Sequence, residues 1–592
     1  MTAAVDFPGF RARNPFAFVT RWFSGLLWSV ERAYERSKAR DRVVDDTRIR
    51  TLFILAVFSL GFLGVAAGAT HAALFAAPRG NAAALISGHR MDMVDRNGRL
   101  LAADLLHYGV YVDPHAIWDI EETRRALRSA LPELSAERLE RALSSRGRAF
   151  LLSGLTPQQR ARIDDMGLPG VEFEPEERRV YPLGRTAAHL IGFANSGGEG
   201  VSGAELAFDR PIRAGADGAT MPLSIDLRIQ AAMEEELRAV FNEQQAHGAV
   251  GIVTDVHTGE ILAMVSFPDF DPNAPVSATP DQRLNRAASS VYEMGSVFKT
   301  FSVAMGLDTG LTTMEHVYGT SGLRIGDRSI GDSHHIGRPL TLREIYLHSS
   351  NIGTATMTLT APPAAFPEYL RRFGLLRAAN TELREVARPL VPRRWDTTTI
   401  ASASFGHALS VSPLAMAQAY GSVLNGGIMV PLTLRPHQPG TPLPQGPRVI
   451  SESTARQMLD VMRLNTIPGS GGTGSRANAA GYFVGGKTGS AEKPGRGGYD
   501  RTAIISSFAG VFPTEGPLNA PRYYVYVMVD QPIGAQGSLG QRTGGFVAAP
   551  VVGRVVERIA PFLGVRRAPE AVVRMRDQQA LSVLPGRAGA AH

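Results

Sequence analysis

The apolar and polar positions divide the chain before any motif is considered. Residues 51–78 carry no Asp, Glu, Lys or Arg, and the run Leu52–Leu74 is long enough to cross a bilayer as a helix. It exceeds the apolar part of a signal peptide and fifty residues precede it, so an uncleaved anchor is expected. Ten basic residues lie ahead of the run and only Arg79 just after it, which predicts a cytoplasmic N-terminus and the rest of the chain beyond the membrane. A mixed stretch then runs to residue 222. It has a turn at Asp95-Arg96-Asn97-Gly98 between apolar runs, charged helices over Glu121–Ser145 and a glycine-rich loop over Gly197–Gly203. No arrangement there has catalytic spacing, and a spacer or docking module is expected.

From residue 223 the pattern changes. Leu227–Phe241 has the apolar spacing of an amphipathic helix. Two strand-like runs follow, Gly248–Thr254 and Glu260–Phe267, with a turn at His257-Thr258-Gly259. The stretch from Gln282 to Met462 is mostly helical in pattern. Tyr482–Glu492, Ile504–Phe512 and Tyr523–Val529 again read as strands, and Val551–Phe562 as a closing helix. Short Gly/Pro-rich connections favour antiparallel neighbours, so an α+β domain with a five-stranded antiparallel sheet is predicted over 223–565. The expected organisation is a tail (1–50), an anchor (51–77), a mixed module (78–222), this domain, and a flexible tail (566–592).

Composition narrows the chemistry. The absence of cysteine among 592 residues excludes disulfides, thiolate catalysis and Cys-ligated metals. The net charge of +7 looks like a nucleic-acid binder, yet residues 1–50 carry +4 of it and residues 566–592 carry +3. Residues 51–565 between them are neutral overall, and no nucleic-acid partner is expected. Only four of the 62 basic residues are lysine: Lys38, Lys299, Lys487 and Lys493. Arginine stays charged, whereas lysine can lose its proton.

Two of these lysines sit in motifs. In Ser296-Val297-Phe298-Lys299 the serine would start an apolar helix with the lysine on the same face. The helix dipole favours charge developing on the serine oxygen, and a neutral Lys299 could take its proton. Ser349-Ser350-Asn351 follows the helix-like Leu342–His348 and can point a hydroxyl and a carboxamide into one cleft. Lys487-Thr488-Gly489-Ser490 lies in a strand-like run, where cation and hydroxyls suit a carboxylate and glycine admits an extended ligand. The order of the three is that of penicillin-binding proteins and β-lactamases. Gly481–Thr488 also fits a phosphate loop, but the following Gly489–Gly498 cannot begin a helix. Gly469–Gly474 matches G-x-G-x-x-G but follows a helix and Pro468, and reads as a flexible loop. His334, His335 and His407 lack metal-ligand spacing, and Asp269-Phe-Asp271-Pro-Asn273 lacks the downstream glutamate of a calcium loop; no metal or cofactor is expected.

At these residues the chain resembles a class B penicillin-binding protein. Asp95-Arg-Asn-Gly98, Arg179-Val-Tyr-Pro182 and Gly200-Val-Ser-Gly-Ala-Glu205 are similar to that family's pedestal motifs. Tyr292–Lys299, Ser349–Thr354 and Gly485–Pro494 look most like its cell-division branch, with the elongation branch the near alternative and a β-lactamase or penicillin sensor further off. The resemblance implies a periplasmic D,D-transpeptidase on the cytoplasmic membrane, acting on peptidoglycan stem peptides. It implies Ser296 as nucleophile, Lys299 as base and Ser349 as proton relay. Asn351, Lys487, Thr488, Gly489 and Ser490 would bind substrate, and the backbone N–H groups of Ser296 and Ser490 would form the oxyanion hole. It also implies a polytopic glycan-polymerising membrane protein and other divisome proteins as partners.

Overall fold

A computed structural model describes residues 90–584 except 217, 327, 335, 496, 497 and the side chain of 328, together with helical positions 28, 29, 32, 35, 36, 51 and 53–66. Two compact units divide at residues 87 and 88. In the first, residues 53–66 are helical, and Phe53, Phe58, Phe62 and Val65 are exposed. Among the described residues no helix is long and apolar enough to cross a membrane. Residues 52 and 67–74 of the expected span lie outside the described residues, as does His335.

The second unit begins with a five-stranded sheet. Strand β1 (Asp92–Val94) pairs antiparallel with β2 (Leu100–Val112) through the Asp95–Gly98 turn. Helices α1 (Ile120–Ala130) and α2 (Ala136–Leu143) are capped by Asp119 and Ser135. They pack with β3 (Ala149–Leu155) and β4 (Val171–Val180), which flank β2. β5 (Thr220–Pro222) closes the sheet parallel to β1. Two of the pedestal-like motifs, through Arg179 and Glu205, meet Arg90 in one buried charge cluster. Arg90 Nη2 donates to Glu205 Oε2 at 2.5 Å and Arg90 Nη1 to Asp209 at 2.7 Å. Arg179 donates to Glu205 Oε1 at 2.7 Å and to Asp104 at 3.1 Å. Pairing of this kind offsets the cost of burying charge.

The remainder is built on a sheet with the order β8-β9-β10-β6-β7, antiparallel throughout. Its strands are β6 (Gly248–Asp255), β7 (Ile261–Phe267), β8 (Gly485–Gly495), β9 (Gly498–Phe512) and β10 (Tyr523–Asp530). Helices α3 (Leu227–Glu243) and α8 (Ala548–Ile559) cover one face with an aliphatic core. The other face carries the helical segment: α4 (Lys299–Asp308), α5 (Leu342–His348), α6 (Asn351–Leu359) and α7 (Glu452–Leu464). The α+β class and the five antiparallel strands follow the expectation. β8 and β9 run further than their apolar stretches, meeting in a hairpin across residues 495–498.

Two other expectations change, and a third stretch gains a structural role. The 566–592 segment is not wholly a flexible tail: Glu570–Leu581 forms helix α9, and Leu584 is buried. Its polar surface gave no amphipathic signal; an ion pair from Asp577 to Arg463 on α7 holds it instead. The Gly469–Gly474 loop is tied down, with Thr473 N donating to Asn465 Oδ1 at 3.1 Å. The Asp269–Asn273 stretch is a clasp. Asn273 exchanges hydrogen bonds with the Tyr181 backbone, and Asp269 pairs with Arg185 and Arg238.

Candidate active site

The three motifs converge between α4, the α5–α6 junction and the edge strand β8. Ser296 is half-buried in a single 3₁₀ turn, Gly295–Phe298, that runs straight into α4. Nearly all of α4 is buried, so the apolar sequence after Lys299 pulls the lysine inside with it. Tyr420 fixes the turn by donating its hydroxyl to the Val297 carbonyl at 2.6 Å. Two glycines let the turn sit against β8. A Cβ on Gly489 would lie 2.9 Å from the Met294 carbonyl, and one on Gly295 (φ +57°) would lie 2.8 Å from the Ser490 carbonyl.

Helix α5 ends at Ser349, a non-glycine residue in the left-handed region (φ 59°), and α6 begins two residues later. This break aims Ser349 inward. Its Oγ accepts from Lys299 Nζ at 3.1 Å and from Lys487 Nζ at 2.9 Å, and its carbonyl accepts from Lys299 Nζ at 2.5 Å. Ser350 caps α6, accepting from Gly353 N at 2.9 Å and donating to Asp332 at 2.6 Å. Asp332 also accepts from the backbone N–H groups of Asn351 and Ile352. Asn351 Nδ2 donates to the Gly331 carbonyl at 3.1 Å.

Both lysine side chains are wholly buried. They touch one oxygen, so their nitrogens are no more than about 6 Å apart. Two charges at that distance repel by about 3 kcal/mol at an effective dielectric of ~20. Burial first, then the Lys487 charge, holds the Lys299 amine well below its ordinary range against the opposing pull of Asp332. Burial alone brings Lys487 down to about 7. This pair can hold one proton and release another near neutral pH.

The rest of β8 forms the wall of the cleft. Thr488 Oγ1 is hydrogen-bonded to Thr473 Oγ1 at 2.7 Å, and Ser490 Oγ accepts from Gly544 N at 3.1 Å. Asn351 and Ser490 line a cleft of about 360 Å³ with Phe405, His407, Tyr499 and Ile330. Burial pushes His407 down to about 4, so it is neutral there. His334 is exposed on the surface. The sequence reading missed Asp332 and Thr473, which lie in polar loops far from the motifs they contact. It left Lys493 without a role; its Nζ pairs with Asp530 at 2.9 Å beside an irregularity in β8.

Comparison with known proteins agrees with this geometry. Residues 249–557 match the penicillin-binding protein transpeptidase domain and residues 85–207 the penicillin-binding protein dimerisation domain. The chain is 52% identical to a probable peptidoglycan D,D-transpeptidase FtsI of Caulobacter vibrioides, over 93% of this chain and 95% of that one. It is 32% identical to the peptidoglycan D,D-transpeptidase FtsI of Escherichia coli (80% and 83%). It is 31% identical to a probable peptidoglycan D,D-transpeptidase PenA of Neisseria gonorrhoeae (80% and 84%). With both domains matched and relatives aligned over most of their length, the chain belongs to the penicillin-binding protein transpeptidases, in the class B group that includes FtsI.

Proposed function

We propose that this protein is a serine D,D-transpeptidase that cross-links peptidoglycan stem peptides during septum synthesis. The observation that carries the reading is Ser349 Oγ held between two buried lysines, one of them three residues after Ser296. Ser296 Oγ attacks the penultimate D-alanyl carbonyl, and its proton passes to neutral Lys299 Nζ. Backbone N–H groups of Ser296 and Ser490 donate to the developing oxyanion, an interaction worth about 3–4 kcal/mol per donor in other enzymes. The amide C–N bond breaks as Ser349 delivers a proton to the leaving nitrogen, releasing D-alanine and an ester on Ser296. Lys487, Thr488 and Ser490 bind the terminal carboxylate, Gly489 keeps the strand open to it, and Asn351 holds the acyl side chain. An amine of a second stem peptide then attacks the ester, forming the cross-link and freeing Ser296.

The septal assignment rests on the motif likeness and on the relatives that carry the name FtsI. The charge-free run 52–74 supports a single-pass anchor with the N-terminus in the cytoplasm and residues 78–222 as a pedestal. A polytopic glycan-polymerising membrane protein and other divisome proteins are the proposed partners. A fluorescent penicillin tests the chemistry: it labels the protein covalently at Ser296, and Ser296→Ala abolishes labelling. An alanine variant that still labels overturns the mechanism.

A further inference from the structure

The C-terminal segment does something that neither the motifs nor the fold class required. Helix α9 buries none of its own residues. It is held by Ala580 and Leu581 against the core, by buried Leu584 just beyond it, and by polar bonds. Ala568 N donates to the Gly481 carbonyl at 2.8 Å and Arg567 Nε to the Ala480 carbonyl at 3.1 Å, both in the turn that leads into β8. Asp577 accepts from Arg463, which is buried at the C-terminal end of α7. A cavity of about 460 Å³, lined in part by Arg343, Asp460, Glu515 and Arg576, separates much of the helix from the domain. The segment is therefore a strap on the domain, joined to its core at the C-terminal end by Leu584.

Arg463 connects the strap to the site. Its Nη1 donates to the Val484 carbonyl at 2.9 Å and to Asn478 Oδ1 at 3.1 Å. Thr466 donates to the same carbonyl at 2.6 Å. Asn465, which caps α7 two residues after Arg463, donates to the Gly486 carbonyl at 2.8 Å and accepts from Thr473, whose hydroxyl meets Thr488. Val484 and Gly486 are three residues and one residue before Lys487. Of the cations near this strand, Arg463 has the carboxylate that the lysine pair lacks, and that carboxylate belongs to the strap. Without Asp577, a buried guanidinium would lose its counter-charge, a situation proteins relieve by moving the group towards water.

We propose that the C-terminal helix is a positioning clamp for the Lys487 strand, acting through the Asp577–Arg463 ion pair. Arg463 is the positioning residue: held by Asp577, it fixes the Val484 carbonyl and so keeps Lys487 buried against Ser349. When the clamp is released, the strand end loosens and water reaches Lys487. The groups facing the lysine pair are Ser349, Asp332, His407 and Tyr346, whose ring lies 5.6 Å from Lys487 Nζ. None of them belongs to the strap, so a change at Asp577 reaches the pair only through the strand. The mechanistic consequence rests on the transpeptidase reading; the structural one does not.

The test uses the full-length protein with its lysines labelled by ¹³C at the ε position. Four lysines give a spectrum simple enough to assign by substitution. In the wild type, Lys487 should titrate near 7; in Asp577→Ala its midpoint should rise, and Asp577→Glu should restore it. Asp577→Asn keeps the side-chain shape if the alanine variant does not fold. An unmoved midpoint in the folded variant overturns the clamp. Fluorescent-penicillin acylation is the second arm. Asp577→Ala should acylate roughly three- to thirty-fold more slowly at pH 7. The limb on which the rate rises with pH should move to higher pH. A slower rate with that limb in place would mean fewer folded molecules and would also overturn the clamp. If wild-type Ser296 does not label while the lysine midpoint still responds to Asp577, the transpeptidase reading fails and the clamp stands.

Discussion

Two clusters of buried cations show opposite solutions to one problem. In the first sheet, Arg90 and Arg179 are buried against Glu205, Asp104 and Asp209. Burial alone would depress the Arg90 guanidinium, but Glu205 and Asp209 outweigh it and raise it above its ordinary value. In the cleft, Lys299 and Lys487 are just as buried but share a serine hydroxyl, with Asp332 acting only at a distance. Their affinity for protons falls. Paired arginines make a permanently charged joint, whereas unpaired lysines make a proton carrier. The choice of cation and the presence of carboxylates decide between structure and chemistry.

The largest expected effect comes from exchanging the cation in the cleft. Lys299→Arg should slow acylation by roughly 10²- to 10⁴-fold, because a guanidinium cannot serve as base. Penicillin acylation kinetics measure this, and near-normal rates would remove Lys299 from its role. Removing the carboxylates is the converse test. Glu205→Ala removes the carboxylate shared by two buried guanidinium groups, leaving Arg90 with Asp209 and Arg179 with Asp104, and should cost about 3 kcal/mol of stability by denaturant unfolding. It should leave the pH dependence of acylation in place.

Proton affinity sharpens the contrast further. Lys487 titrates near 7 in the fold and near 10.4 in the unfolded chain, so between these values the unfolded state binds the extra proton. Stability should therefore rise with pH across that window and fall as pH drops through it. Lys487→Met should flatten this dependence of Tm between about pH 7 and 10, whereas Arg90→Lys should not. The smallest effect is expected at Asp332. Asp332→Ala removes acceptors for Ser350 and the first turn of α6 and should cost about 1 kcal/mol. Its effect on acylation should be far below that of Lys299→Arg.

Much of this was readable along the chain. The alternation of apolar runs and turns marked the five strands, and three short motifs in order marked the cleft. Spacing could bring Ser296 and Lys299 together because one helical turn separates them. It could not show that Lys487 reaches Ser349 across 138 positions. Partnerships between distant polar residues leave no periodic trace, and this is where the reading fell short. Asp332, Thr473 and Asp577 stand in polar stretches that look like ordinary solvent-facing loop or tail. The lengthened β8–β9 hairpin was missed for a related reason: Lys493-Pro-Gly has no strand character, and backbone pairing with β9 and the bond to Asp530 hold it.

The backbone at Ser349 has a further consequence. A residue with a Cβ in the left-handed region carries about 1–2 kcal/mol of conformational strain that glycine would not. Ser349→Gly is thus a substitution that relaxes the chain while deleting the hydroxyl shared by both lysines. The strain released is offset by the acceptor that two buried amines lose, so the substitution should move Tm little while slowing acylation. Six non-glycine residues among those described hold such a backbone, and at this one the tension aims a hydroxyl at two buried lysines.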